Sequence, residues 1–294
     1  MKLKASKCNY HVYTEDFVPD TSKTAEVTIV TAFFDLGSFE KGDRNHVYTP
    51  NKYKEWMSVF ENIKNPLYVY VDSEEYKTFF ENIRENLHDK TKVIRIDRNS
   101  TWSFGLKDNI SAIFSNPNYP KHLPNTVIPE YSCAMHAKFD VMTRSVSDNA
   151  FNTNFFAWLD IGYFRNLVNT TYQPFKIYLP PCFDRRKVAY NEIYTPWKLN
   201  LQQIVSNDEV WVGGGLFFAE KNVMKIWIED YMNFTEKFIQ MGWISTDQQV
   251  IYAMRQPLIH KKFGKRRVTI QNYHIKYIKD NWFGLGYLCK KEQI

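Results

Sequence analysis

The 294 residues are 44% hydrophobic and 17% aromatic with a formal net charge of +6, which is apolar material for a large core. Charged residues at 24%, with only 11 glycines and 12 prolines, exclude a disordered or low-complexity chain. No run approaches the roughly 18 consecutive apolar residues of a spanning helix, so any membrane attachment is expected from one side only.

In chain order, residues 1–26 read as a polar extension. Lys2, Lys4, Lys7, Glu15 and Asp16 leave no apolar core for a signal peptide. Residues 27–294 read as one domain. Val27 to Phe34 is a nearly continuous apolar, β-branched run, the mark of a strand covered on both faces. Tyr53, Trp56, Met57 and Phe60 form one stripe of an amphipathic helix, stopped at Asn65-Pro66. Leu67 to Val71 is the next strand; Tyr76, Phe79, Phe80, Ile83 and Leu87 mark a second helix; Lys92 to Ile96 is a third strand.

This βαβαβ alternation predicts a mixed, mostly parallel sheet of Rossmann type with helices on both faces, binding nucleotides at its strands' carboxyl ends. No GxGxxG follows the first strand, which disfavours a dinucleotide-binding domain. Thr101 to Pro129, rich in Asn, Pro and Ser, reads as irregular. Tyr131 to Val146 reads as a helix with Met135, Phe139 and Met142 inward, and Phe155 to Leu159 as a buried strand ending in Asp160. Glu209 to Glu220 reads as two short strands joined through Gly213-Gly214-Gly215. An amphipathic helix follows at Val223, Met224, Trp227, Ile228 and Tyr231. Thr246 is placed to cap a helix opening at Asp247-Gln248-Gln249, and the tail from Val268 alternates like a strand.

Cys8, Cys133, Cys182 and Cys289 form no CxxC pair and read as reduced thiols, which suits a cytoplasmic protein. His260, Lys261, Lys262, Lys265, Arg266 and Arg267 form a basic run that suits phosphates, nucleic acid or an anionic membrane surface. With no RNA-recognition or zinc-finger signature, nucleic acid is not an expected partner. Peripheral membrane contact through 260–267 is the retained expectation.

Asp160 is the residue most suggestive of chemistry. A carboxylate leaving a fully apolar strand needs a cation, a metal or several donors, and Gly162 beyond it permits close approach. At such a position a divalent ion offsets the charge of a nucleotide diphosphate. Among the aromatics, Tyr163 and Trp243 are the candidates for stacking on a sugar.

Three ordered segments, Thr28 to Gly37, Tyr131 to Lys138 and Trp158 to Tyr163, resemble the HtrL/YibB family over roughly residues 27 to 290. That family is itself similar to GT-A glycosyltransferases. The resemblance implies a GT-A-like fold and transfer of a sugar from a nucleotide-sugar donor, UDP-linked among others, to a glycan or lipid-linked acceptor. It implies that Thr31, Ala32, Phe33 and Asp35 receive the base and ribose. Lys138, with Arg165 as a second candidate, would meet the diphosphate; Gly162 would let the donor approach closely, Gly214 and Gly215 would line the donor-sugar and acceptor pocket, and Gln248 would reach the sugar. Asp247 would be the catalytic base of an inverting reaction. Asp160 and His274 would hold Mn²⁺ or Mg²⁺, although Gly162 stands where the Asp-x-Asp motif has its second carboxylate. The alternative is a non-catalytic nucleotide- or sugar-binding module of the same fold.

Overall fold

The computed structural model describes residues 26–42, 46–168, 170, 173–275 and 281–292. The polar extension expected over 1–26 lies outside them except for its last residue.

The first strand, β1 (Val27–Phe33), leads into α1 (Pro50–Met57), which starts where Thr49 accepts from the Lys52 N–H and Pro50 fills the first helical position. Next come β2 (Leu67–Val71), α2 (Glu74–Ile83) and β3 (Thr91–Arg95). The region expected to be irregular holds two helices, α3 (Trp102–Gly105) and α4 (Lys107–Phe114). Thr101 caps the first of these, and Ile110 and Phe114, one turn apart, bury the second in the core. This two-point apolar face was hidden by the polar composition around it.

The 20-residue α5 (Pro129–Asp148) then leads to β4 (Phe155–Leu159) and β5 (Lys187–Glu192). After α6 (Leu201–Ser206), β6 (Val212–Glu220) is one unbroken strand, not two joined by a glycine turn. Gly213, Gly214 and Gly215 are absent from the positive-φ glycines, so they extend the strand rather than reverse it. The remaining helices are α7 (Lys221–Gln240), α8 (Asp247–Ala253), α9 (Pro257–Phe263) and α10 (Gly284–Cys289). The strand β7 (Thr269–Tyr273) precedes the last of them.

The seven strands form one sheet in the order β7-β5-β6-β4-β1-β2-β3. β1 is parallel to β2 and β4, β2 to β3, and β5 to β7, while β6 runs antiparallel to both its neighbours. This is a largely parallel Rossmannoid α/β architecture. Both faces of the sheet are apolar by simple alternation. Ile29, Leu67, Val69, Ala157 and Leu159 pack on Met57, Tyr76 and Phe80 of α1 and α2. Val30, Tyr68, Tyr70, Phe156 and Trp158 pack on the other side against α4, α5 and α7. Each fully buried side chain of this kind contributes about 1.5–3 kcal/mol.

Cys182 is disulfide-bonded, so the expectation of four reduced thiols does not hold there, and the inference of a reducing compartment loses that support. Cys133 and Cys289 are free and buried. Among the described residues no helix is long and apolar enough to cross a membrane.

Candidate functional site

From β1 the chain builds outward through β2 to β3, then crosses back to lay β4 on the other side of β1. The loops leaving β1 and β4 therefore diverge, and an open crevice at such a switch point is the usual ligand position of parallel sheets. A cavity of about 520 Å³ lies there. Ala32, Phe33 and Phe34 line it from the end of β1, Trp158 and Asp160 to Tyr163 from the end of β4, and Gly214 and Gly215 from β6. The antiparallel direction of β6 brings its glycines to this edge, where the Asp160 N–H donates to the Gly215 carbonyl at 2.9 Å.

Three ionisable side chains meet on this wall. Lys138, one turn beyond Ala134 on α5, donates from Nζ to Asp247 Oδ2 at 2.9 Å and to the Gly214 carbonyl at 3.1 Å. Its Nζ is also 3.7 Å from Asp160 Oδ1, which accepts from the Trp158 indole at 2.6 Å. Lys138 and Asp247 are almost wholly buried, whereas the Asp160 side chain is 40% exposed, so Asp160 presents the open carboxylate. Burial opposes the Lys138 charge, but the carboxylates of Asp160 and Asp247 outweigh it and raise its pKa. Asp247 is raised above the ordinary carboxylate value by burial, against the pull of Lys138 and with a further push from Asp160. Two carboxylates thus share one ammonium.

The glycines are required for this packing. A Cβ on Gly214 would run into the Asp247 carboxylate, and one on Gly215 would come within 3.0 Å of the Tyr163 ring. β5 helps by letting go of this stretch: its register jumps from Tyr190↔Phe217 to Asn191↔Gly213, leaving Gly214 to Leu216 unopposed on that side. A Cβ on Gly162 would lie 2.8 Å from the Trp56 indole, so this glycine admits a side chain of α1.

Ala32, Phe33, Lys138, Asp160, Gly162, Gly214, Gly215, Asp247 and Gln248 all line the cavity, as does Arg165; Thr31, Asp35 and His274 do not. Thr31 is fully buried within β1. Asp35 closes its own loop, its carboxylate accepting from the Gly37 N–H at 2.8 Å and the Tyr76 hydroxyl at 3.0 Å. Asp72 is engaged in the same corner by Arg98 and the Asp35 N–H. His274 follows β7 at the sheet's far edge. Tyr163 is buried, its hydroxyl accepting from the Gly286 N–H at 2.9 Å. Trp243 packs on Tyr119 away from the cavity.

Sequence reasoning missed an aromatic and cationic wall. Phe39, Tyr48, Tyr53, Trp56 and Tyr131 form a connected set of ring contacts lining the cavity. Tyr53 and Trp56 had the spacing of an ordinary core stripe, and no local signal separates that from a cavity wall. Lys41 donates to the Tyr131 hydroxyl at 2.7 Å, and the Arg165 guanidinium lies 4.5 Å from the Phe283 ring centre. Among the described residues neither cation has a carboxylate partner. Among the described residues both charges are thus without a direct ion pair, unlike that of Lys138, and the Asp160 carboxylate acts on Lys41 only from a distance.

Among the described residues no group of three or more His, Cys, Asp or Glu is arranged to hold a metal. Ions of the Mg²⁺ type commonly take one or two carboxylates and complete their shell with water and substrate phosphates. Asp160, with its open carboxylate at the cavity, fits that limited role.

No curated protein matches the chain. A family model described as "Bacterial protein of unknown function (HtrL_YibB)" matches residues 25–284. By that match over most of its length, the chain belongs to the HtrL/YibB family.

Proposed function

We propose that the protein is a GT-A-like glycosyltransferase that moves a sugar from a nucleotide-sugar donor to a hydroxyl of a glycan or lipid-linked acceptor. The observation that carries this reading is the convergence of Asp160, Lys138, Asp247 and Gly214-Gly215 on one wall of a cavity at the sheet's carboxyl edge. Such a wall suits hydroxyl-rich ligands: carboxylates accept from sugar hydroxyls, and glycines let the ring approach the backbone. The aromatic set around Tyr53 and Tyr131 offers faces for a base, and Lys41 and Arg165 are the cations left to meet a diphosphate. This revises the phosphate role expected of Lys138, whose charge is already matched by two carboxylates.

In this reading Asp247 accepts the proton of the acceptor hydroxyl as the glycosidic bond forms, and the nucleoside diphosphate departs with the electrons of its bond to the sugar. Lys138 holds Asp247 in place and Gln248 lies beside it on α8. A divalent ion, when bound by Asp160, would offset phosphate charge on the leaving group.

The test is release of nucleoside diphosphate from a panel of nucleotide sugars with Mn²⁺ or Mg²⁺. Turnover is expected for one donor and should fall roughly 10²–10⁴-fold in Asp247→Asn, the range of a lost general base. Asp160→Asn should likewise lose turnover, and full activity in both variants would end the assignment. The second reading, a binding module, draws on Gly162 standing in place of a second carboxylate. It predicts saturable nucleotide-sugar binding with no turnover of any donor.

A further inference from the structure

The basic run seen in the sequence is divided by the fold. Arg267 is neutralised by Asp230 at 2.7 Å and Glu229 at 3.0 Å. Arg266 is drawn inward, its guanidinium 5.9 Å from the Trp211 ring centre. Lys261, Lys262 and Lys265 stay exposed, as does Lys198 nearby in the 193–199 segment, and among the described residues none of the four is in an ion pair.

These lysines border an apolar surface. In α9, Ile259 is buried in the core and Phe263 packs against it, while Leu258, Lys261 and Lys262, spaced i, i+3 and i+4, face outward. Gln256, at the N-cap of α9, donates to the Trp197 carbonyl at 3.2 Å and accepts from the Leu199 N–H at 3.2 Å. That clamp sets Trp197 beside the start of the helix. Trp197 is 71% exposed, Leu258 63% and Tyr194 57%. Tyr194 in turn meets the Trp282 ring edge-on at 6.5 Å, and Trp282 lines the cavity. Three exposed apolar side chains, Tyr194, Trp197 and Leu258, thus lie on the segment and helix that join Trp282 to α9, beside lysines with no ion pair among the described residues.

We propose that this region rests on the surface of an anionic lipid bilayer, with Tyr194, Trp197 and Leu258 at the boundary of headgroups and acyl chains. The lysines lie among the lipid phosphates. Tryptophan and tyrosine favour that boundary because one end of each ring system is apolar and the other polar, and lysines beside it gain from the negative surface potential. A soluble polyanion such as nucleic acid would use the lysines but give Leu258 nothing to bury. The contact stands independently of the transfer reaction; if both hold, the cavity opens beside the membrane that carries a lipid-linked acceptor.

Flotation of the full chain with phosphatidylcholine vesicles, with and without phosphatidylglycerol, tests this. Binding is expected to the phosphatidylglycerol vesicles and not to the neutral ones. Lys261→Glu with Lys262→Glu should weaken it roughly tenfold or more. Trp197→Ser with Leu258→Ser leaves every charge in place and should weaken it comparably. All four side chains are exposed, so an unchanged unfolding midpoint verifies the fold of each variant. Failure of the unaltered protein to float with phosphatidylglycerol overturns the proposal. So does undiminished flotation of the Trp197/Leu258 variant, which would assign the lysines to a soluble polyanion instead.

Discussion

Lys138 is a buried cation whose two neighbours are both acids, and the consequences are local and large. Removing one partner of a buried ion pair leaves the other charge uncompensated, at a cost of about 3–5 kcal/mol. Lys138→Met should therefore lower stability by that order in urea unfolding, and adding Asp247→Leu should recover most of it. If Lys138→Met unfolds at the same urea concentration as the parent protein, the pair is not as desolvated as its geometry indicates. The same cluster sets a pH dependence for the proposed reaction. A base must be deprotonated, and burial raises Asp247 above the ordinary carboxylate value. Activity should accordingly decline with acidity at a pH above about 4, the ordinary carboxylate range. The limb should disappear in the residual activity of Asp247→Asn. A profile flat down to pH 4 would remove Asp247 from the role of base.

At the scale of elements, β6 is the strand on which the site depends. Three consecutive glycines usually mark a turn, so the sequence suggests two strands, whereas in the fold they serve close approach. Gly214→Ala would place a methyl group against the Asp247 carboxylate, while the nearest neighbour of a Cβ on Gly213 is the flexible tip of Ile193 at 3.3 Å. Gly214→Ala is expected to abolish turnover and lower the melting temperature. Gly213→Ala should fold and turn over within a few-fold of the parent, and equal behaviour of the two variants would contradict the packing described. Helices α5 and α8 were legible because each has a long or well-capped local pattern. Helices α3 and α4 were not, since their apolar faces amount to very few residues set in a polar stretch. β5 carried no strong alternation and gained its place from pairing with β6 and β7.

For the whole molecule, acid stability has an identifiable contributor on the packed side of α5. His136 is fully buried with Nδ1 at 2.5 Å from the Tyr231 hydroxyl; burial first, then the charge of Lys138, push its pKa down to about 3. Its ordinary value is about 6.5, so between these limits the unfolded chain binds the proton and the folded one does not. The stability associated with neutral His136 is complete above about 6.5 and is lost progressively as pH falls toward 3. Unfolding midpoints measured across that interval should drop for the parent protein and drop less for His136→Gln. An equal slope for both would show that other groups govern the acid transition.

What the sequence determined alone was the alternation of apolar strands with amphipathic helices. From it follow the Rossmannoid class and the exit of Asp160 at the carboxyl edge of the sheet, because periodicity and strand ends are local properties of the chain. Only the tertiary structure decided which charges meet. Lys138 and Asp247 stand 109 residues apart and become partners because α5 and α8 pack on the same side of β6. The same packing left Asp35 closing a loop, His274 away from the cavity, and Arg165 and Lys41 as cavity cations with no ion pair among the described residues. Charge pairing depends on distances of a few ångströms across the fold, and residue order does not contain those distances.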